Sequence, residues 1–211
     1  MFGITNFETF LIAGILLNLT PGADTMYILG RSISQGKKAG ILSALGISTG
    51  SLVHCIIAAF GLSIIIAKSA IAFSTIKYLG AAYLIYLGIK ALLTKSQNEF
   101  EIEKLDKKKT SNGKIFVSGI LTNILNPKVA LFFLAFLPQF IDPNYATNFM
   151  PFIILGLTFI ATGTIWCLAL ALFSAKLSDR IRKNYKIKMW LVKITGGIFI
   201  ALGIKLALAK K

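Results

Sequence analysis

Charged residues are scarce in this sequence. Only 15% of its 211 residues are Asp, Glu, Lys or Arg, whereas soluble domains carry about 25%. Two stretches, Ala39–Ala67 and Phe149–Ala175, contain none of these four residue types. Each is longer than the roughly 20 apolar residues that a helix needs to cross a bilayer. A soluble core does not require such runs, so the chain is predicted to be an integral membrane protein.

Cysteine and histidine are also scarce, with two and one residues respectively. Cys55 and Cys167 stand apart, without the CxxC spacing of thiol-redox and metal sites. We predict that both are small buried residues. No nucleophile–base pair is visible either, so we expect no enzymatic activity, no metal site and no cofactor. Met1–Asn6 holds no positive residue, so a cleavable signal peptide is not expected.

Six apolar segments are separated by polar loops and helix-breaking residues. The predicted spans are Phe7–Leu29, Ala39–Ala67, Ala70–Leu93, Ile115–Ile141, Phe149–Ala175 and Trp190–Leu208. They are expected to be helices, because they are rich in glycine, are broken by proline and lack the alternation of a barrel. Five spans with a re-entrant third segment is the alternative.

The basic residues lie mainly in alternate loops. The net charge of +15 would suggest nucleic acid as a partner of a soluble protein. Here 15 Lys and Arg residues lie in the first, third and fifth loops, and four lie in the second loop and the C-terminal tail. This asymmetry places the odd loops in the cytoplasm and both termini outside. Lipid, and not nucleic acid, is therefore the expected partner.

The two halves of the chain contain similar segments. Leu79–Leu92 matches Ile194–Ala207, with Gly88 aligned to Gly203 at an offset of 115 residues. Each half also begins with a span interrupted by an Asn and Pro motif. Three spans per repeat is an odd number, so the second repeat must be inserted upside down. We predict a repeat over 1–93, a cytoplasmic loop over 94–114 and an inverted repeat over 115–211, the architecture of alternating-access transporters.

A proline lies near the middle of spans one and four. Pro21 and Pro127 each remove a backbone donor and free the carbonyl four residues earlier, on Leu17 and Asn123. Inside a bilayer such a carbonyl must find another donor or line a cavity. The sequence therefore predicts polar sites at both positions.

The residues before these prolines resemble helix starts. Thr20-Pro21 and Asn126-Pro127 fit an N-cap followed by the first helical residue. Each span is therefore predicted to be two half-helices, with a buried N-terminus at mid-depth. Two such ends facing each other would suit a carboxylate. A simple kink at each proline is the alternative.

Two charged residues follow the breaks directly. Asp24 and Lys128 both fall in the first turn of a predicted half-helix, where the helix dipole favours the carboxylate and opposes the ammonium. Ionisable groups at this depth are functional candidates. Lys128 is expected to find a negative partner, either Asp24 or a substrate carboxylate, or else to reach the membrane surface. His54 is either a hydrogen-bonded packing residue or a proton relay.

Three segments resemble the LysE/RhtB family of amino-acid exporters. They are Leu17–Thr25 (LNLTPGADT), Gly80–Gly88 (GAAYLIYLG) and Gly119–Lys128 (GILTNILNPK). Ala23 stands where the family motif has a second proline, and Asp24 still matches. The resemblance implies a small bacterial inner-membrane protein of about six spans that expels amino acids, driven by the proton gradient.

The predicted function is therefore secondary transport. We expect export of amino acids by proton antiport with alternating access, with neutral or homoserine/threonine-type substrates preferred. Export of another small solute, such as a metal ion or toxic cation, is the alternative, and the chain is compatible with a homo-oligomer. The residues predicted to bind substrate or couple protons are Asn18, Thr20, Pro21, Gly22, Asp24, Thr25, His54, Asn123, Asn126, Pro127 and Lys128.

Overall fold

The computed structural model describes residues 2–62, 70–93, 110–183 and 185–208. Over these ranges the chain is helical, and its one β interaction is an isolated bridge between Ile4 and Ile141. The predicted all-α class is confirmed. Most of the third loop, residues 94–109, lies outside the described residues.

Eight α-helices make up most of the described chain. They are α1 (Phe7–Leu19), α2 (Ala23–Gln35), α3 (Lys37–Ile56), α4 (Ala70–Leu93), α5 (Asn112–Ile124), α6 (Pro127–Leu131), α7 (Phe149–Lys183) and α8 (Tyr185–Leu208). A π-helical segment, Ile57–Leu62, extends α3. After α6 come a π-helical segment, Phe132–Phe136, and the 3-10 helices Leu137–Phe140 and Pro143–Tyr145.

Several of these helices are long and apolar enough to cross a membrane. Two single helices are long and apolar enough by themselves: Lys37–Gly61 and Phe149–Phe173. The pairs α1–α2 and Asn112–Ile124 with Pro127–Phe140 qualify if each bent pair is one span, which gives up to four spans among the described residues. The predicted breaks in spans one and four are therefore present. Helices α4 and α8 fall outside this set, so the count of six remains a prediction.

Polar and apolar side chains are distributed as in a membrane protein. Large apolar side chains face outward, including Ile12 at 61%, Ile165 at 71% and Leu125 at 75% exposure. His54 and Asn123 are buried inside. Such an outward apolar surface is a liability in water but is matched to lipid, and the polar interior provides the hydrogen bonds that lipid cannot.

The helices pack as one group and one pair. Helix α3 lies against α2, α5 and α7, and α1 and α2 also contact α7. Helices α4 and α8 pack mainly against each other, and α4 also contacts the π-helical segment Phe132–Phe136. The first group contains both proline breaks and therefore positions the polar interior.

The α4–α8 pair crosses at glycines in both helices. A Cβ on Gly88 would lie 2.6 Å from the carbonyl oxygen of Gly196, and one on Gly196 would lie 2.8 Å from the carbonyl oxygen of Gly88. One on Gly203 would lie 2.9 Å from the carbonyl oxygen of Ala81. Small residues let the two backbones approach closely, as is usual between membrane helices.

The first asparagine of each proline motif, Asn18 and Asn123, also packs against a glycine of another helix. A Cβ on Gly50 in α3 would lie 2.7 Å from the Cβ of Asn123 in α5. A Cβ on Gly163 in α7 would lie 3.0 Å from Oδ1 of Asn18 in α1. The first proline break thus packs against a helix of the second half, and the second break against a helix of the first.

We expect Gly196→Ala to lower the thermal unfolding midpoint of the detergent-solubilised protein by several degrees. Its new Cβ would meet the Gly88 backbone, and overpacking costs about 1–3 kcal/mol. Gly197→Ala is the matched control, because a Cβ there meets nothing within 4 Å and alanine is the better helix former. Equal midpoints for the two variants would contradict the close α4–α8 crossing.

Candidate functional site

The first break separates α1 from α2 at a bend of 46°. Thr20 ends α1 in an extended conformation, and its Oγ1 donates back to the Leu16 carbonyl at 2.8 Å. Gly22, also extended, is the N-cap of α2, and no side chain caps that helix. The prediction that Thr20 is the N-cap was wrong. Its hydroxyl is used by its own helix, and the chain starts the next helix two residues later.

The second break separates α5 from the next helical stretch at a bend of 49°. Asn126 is the N-cap of α6, its side-chain oxygen accepts from the Lys128 backbone N–H at 3.1 Å, and Pro127 is the first helical residue. Here the predicted cap followed by proline is present as expected. At the first break the Thr20 side chain bonds back to α1, whereas at the second break the Asn126 side chain bonds forward to the backbone of α6.

The Leu17 carbonyl freed by Pro21 meets the side chain of Lys128. Lys128 Nζ donates to the carbonyl oxygens of Leu17 at 3.2 Å and Thr20 at 3.1 Å. The backbone of Lys128 lies at a helix N-terminus, but its ammonium reaches the C-terminal end of α1, where a helix dipole favours a cation. The ammonium is thus held inside the protein and does not extend to the membrane surface.

The Asn123 carbonyl freed by Pro127 meets His54. Its oxygen lies 3.2 Å from His54 Nε2, and because a carbonyl only accepts, Nε2 carries the proton in this contact. The imidazole is buried and stacks on Phe133 at 5.9 Å between ring centroids. His54 therefore has the contacts of a hydrogen-bonded packing residue. It is linked to Asp24 through Asn123, whose side chain contacts the carboxylate.

Asp24 has one paired and one unpaired oxygen. Its Oδ2 accepts from Asn123 Nδ2 at 2.9 Å. Its Oδ1 is buried and makes no hydrogen bond within 3.5 Å among the described residues, although the amide of Asn126, whose Nδ2 is also buried and unpaired there, interacts with the same carboxylate. Lys128 attracts it electrostatically, yet the described part of the chain contains no N–O contact within 4.0 Å between them. A buried carboxylate oxygen without a donor costs free energy. Binding a proton or a cation at Oδ1 would recover that cost.

A small cavity joins these groups. Its volume is about 30 Å³, room for about two water molecules and too little for an amino acid. Of the predicted site residues it is lined by Asn18, Asp24, Thr25, Asn123 and Lys128. The remaining predicted residues surround the breaks without lining it: Thr20, Pro21, Gly22, His54, Asn126 and Pro127.

Four lining residues with a hydroxyl or indole N–H were missed from the sequence: Ser48, Ser51, Thr164 and Trp166. Ser51 donates to Asn123 Oδ1 at 3.1 Å, and Ser48 lies 2.8 Å from Thr164, hydroxyl to hydroxyl. Trp166 lines the same cavity, and its buried Nε1 has no partner among the described residues. The signal was present in Ser48, Ser51 and His54, which recur at three-residue spacing within an apolar span and so share one helix face.

Both cysteines are buried, as predicted, and Cys167 lines the cavity. Within the described ranges, no three His, Cys, Asp or Glu residues lie together as metal ligands. The charged residues that line the cavity are Asp24 and Lys128. The site therefore presents one carboxylate and one ammonium among amide and hydroxyl groups.

A profile of the LysE type translocators matches residues 15–210. An uncharacterized membrane protein of Bacillus subtilis, YrhP, is 40% identical over 92% of this chain and 94% of its own length. Uncharacterized membrane proteins of Vibrio cholerae and Pseudomonas aeruginosa are 30% and 29% identical, over 95% and 98% of this chain and 96% and 97% of their own lengths. No solved structure matches.

Proposed function

Because this chain belongs to the LysE type translocator family, we propose that it exports amino acids across the bacterial inner membrane in exchange for protons. At the coarser level it is a multi-pass membrane translocator of small solutes, in a family that is not enzymatic. The observation that carries the proposal is Asp24, a half-buried residue whose carboxylate has one buried oxygen without a hydrogen bond among the described residues, in a cavity that Lys128 also lines. Neutral or homoserine/threonine-type amino acids are the preferred substrates.

The packing supports two inverted repeats. Asn123 of the second half packs against Gly50 of the first half, and Asn18 of the first half packs against Gly163 of the second. The contacts between α4 and α8 are related in the same way. The offset of 115 residues aligns Gly88 with Gly203 and Ala81 with Gly196, so the contact of Gly88 with Gly196 corresponds to that of Gly203 with Ala81. Inverted repeats allow one half to rock against the other around a shared site.

The substrate carboxylate is assigned to Lys128 and the adjacent backbone at Gly22. A Cβ on Gly22 would lie 3.4 Å from Lys128 Nζ, so the glycine leaves the ammonium accessible from that side. Nζ is held by two carbonyls of α1, and an incoming carboxylate competes with them as a charged acceptor. Charge-assisted hydrogen bonds are about twice as strong as neutral ones, so the exchange favours the substrate.

The substrate ammonium is assigned to Asp24 Oδ1. In the cytoplasm-facing state, a proton leaves Oδ1 and the ammonium takes its place. In the outward-facing state, the ammonium leaves and Oδ1 takes a proton from outside. Because protonation removes the negative charge that binds the ammonium, Asp24 holds one or the other, and each cycle moves the amino acid outward and the proton inward.

The small volume of the cavity fits an alternating-access cycle. About 30 Å³ does not hold an amino acid, so the helices must separate to admit one. Gly50 and Gly163 contact opposite breaks, and opening one contact while the other stays closed would expose the cavity to one side of the membrane at a time. We assign the closed conformation to the state between substrate release and substrate binding.

Efflux from proteoliposomes tests the function. The purified protein is reconstituted with a radiolabelled mixture of the protein amino acids inside, with and without an inward pH gradient. We expect gradient-stimulated release of a subset of neutral amino acids, identified by chromatography of the released label. Release of no amino acid under either condition would contradict the proposed substrate class and favour another small solute, such as a metal ion or toxic cation.

A further inference from the structure

Three residues on one face of α3 hold Asn123 in place. Gly50 admits the Asn123 side chain, since a Cβ at Gly50 would lie 2.7 Å from the Asn123 Cβ and 3.0 Å from its Oδ1. Ser51 Oγ donates to Asn123 Oδ1 at 3.1 Å, and His54 Nε2 contacts the Asn123 carbonyl oxygen at 3.2 Å. The asparagine is therefore fixed at both its side chain and its backbone.

Asp24 and Ser51 together hold the Asn123 amide in one orientation. An amide has one accepting oxygen and one donating nitrogen, and an ionised carboxylate only accepts. Asp24 Oδ2 therefore takes Nδ2 at 2.9 Å, and Ser51 donates to the remaining Oδ1 at 3.1 Å. The reversed amide would place its oxygen against a carboxylate oxygen, which is repulsive. Ser51 thus maintains the donor on Oδ2 while Asp24 Oδ1 stays without a hydrogen bond among the described residues.

We propose that Ser51 is a positioning residue which, through Asn123, keeps a donor on Asp24 Oδ2 and so directs the proton and the substrate ammonium to compete at Oδ1. The inference rests on the proposed proton-coupled exchange. A proton on the carboxylate removes the negative charge that binds the ammonium, which is the exclusion that antiport requires. The donor on Oδ2 stabilises the charged carboxylate and thereby sets how readily the proton is released.

The corresponding asparagine of the first half provides the contrast. Asn18 Nδ2 donates to Thr162 Oγ1 at 3.1 Å and to the Phe159 carbonyl at 3.3 Å. Its amide nitrogen therefore points to α7 and to no carboxylate. Six residues after Asn18 is Asp24, whereas six residues after Asn123 is Val129. The two proline motifs share their packing but differ in their charges, with Asp24 after the first proline and Lys128 after the second. Among the described residues the Ser51–Asn123–Asp24 chain therefore has no counterpart at the first motif.

The titratable groups around Asp24 are few. Lys128 on α6 and His54 on α3 act on it electrostatically, and the thiol of Cys167 on α7 lies close enough to feel its charge. Helix α5 contributes Asn123, which does not titrate, to the same contact. A change at Ser51 leaves all three titratable groups in place, so its effect on pH dependence reports the orientation of Asn123.

The test measures counterflow of the radiolabelled amino-acid mixture in proteoliposomes from acid to alkaline pH. For the wild type we expect counterflow to rise with pH as the proton leaves Asp24. For Ser51→Ala, Asn123 Oδ1 loses its donor, so the amide is held less firmly against Asp24 Oδ2 and the proton is held more tightly. The pH of half-maximal counterflow should move up by about one unit, the size expected for one hydrogen bond to a charged group, with the maximal rate retained at high pH.

Ser43→Ala is the matched control, because Ser43 is a buried serine of the same helix whose hydroxyl, among the described residues, donates to the Ala39 carbonyl of that helix. Its profile should match the wild type, as should that of Ser51→Thr, which keeps the hydroxyl. If Ser51→Ala does not fold, Ser51→Cys, a weaker donor, should show a smaller upward shift. A wild-type pH profile for Ser51→Ala or Ser51→Cys overturns the inference. A pH-independent wild type overturns instead the proposed proton coupling.

Discussion

Asp24→Asn will reduce pH-gradient-driven amino-acid efflux by roughly 10- to 100-fold, the equivalent of one charge-assisted hydrogen bond of about 1.5–3 kcal/mol. The carboxamide cannot take up and release a proton, and its neutral oxygen binds an ammonium less strongly. The fold should be kept, because Asn123 Nδ2, now 2.9 Å from Oδ2, can donate equally well to an amide oxygen. Efflux from proteoliposomes with and without the gradient measures the loss, and the residual exchange should not depend on pH.

Asp142→Asn is the control for removing a carboxylate elsewhere. The Asp142 side chain caps the short helix Pro143–Tyr145 by accepting from the Asn144 backbone N–H at 2.8 Å. Asparagine caps a helix as well as aspartate does, so this variant should transport like the wild type. Full gradient-driven efflux in the Asp24→Asn variant would show that Asp24 has no part in coupling.

Lys128→Met will abolish transport with little change in thermal stability. Removing the ammonium takes a donor from the Leu17 and Thr20 carbonyls, and a lost partner costs about 1–3 kcal/mol. It also removes a charge whose placement in the membrane costs about 2.5–3.5 kcal/mol. These terms nearly cancel, whereas the substrate carboxylate loses its only cationic partner in the cavity among the described residues. Efflux and the unfolding midpoint are measured on the same preparation.

Lys114→Met provides the comparison, because Lys114 is exposed at the start of α5. It should keep both its transport and its unfolding midpoint. If Lys128→Met transports normally, the carboxylate is bound elsewhere. If it fails to fold, then the contact of Lys128 with α1 is mainly structural, and Lys128→Arg, which keeps the charge, should restore folding.

Much of the site followed from the two prolines. A proline frees the carbonyl four residues before it, and this rule identified Leu17 and Asn123 as the groups needing a partner. Both carbonyls have one, in Lys128 Nζ and His54 Nε2. Each carbonyl also accepts a nearby backbone N–H, of Thr20 and of Asn126 respectively. The side-chain partners could not be predicted, because they come from other helices and depend on how those helices pack.

Lys128 illustrates that limit. Its position at the start of α6 is unfavourable for a cation, and the sequence therefore indicated a negatively charged partner. A lysine side chain is long enough to leave its own helix end, and here Nζ reaches the C-terminus of α1. That choice is decided by the bend between α1 and α2, which places the ends of two helices beside each other.

Thr20 and Ser51 show the ambiguity of hydroxyl residues. Before a proline, threonine is a good N-cap, but Thr20 Oγ1 bonds the Leu16 carbonyl behind it, an alternative always open to hydroxyls in helices. Ser51 is the opposite case, because it is a polar residue within an apolar span whose hydroxyl reaches another helix and donates to the Asn123 side chain. Only the facing helix distinguishes a self-bonded serine from one that orients a site.

The most direct test of proton-coupled export is to let an amino-acid gradient move protons. Proteoliposomes are loaded with a pH-sensitive dye and with the amino acids found to leave in the efflux experiment, and are diluted into amino-acid-free buffer at equal pH. With wild-type protein, amino acids leaving should bring protons in, so the lumen acidifies, and Asp24→Asn should abolish the acidification. Amino-acid release without any change of internal pH would contradict proton antiport and leave uncoupled passage of the solute.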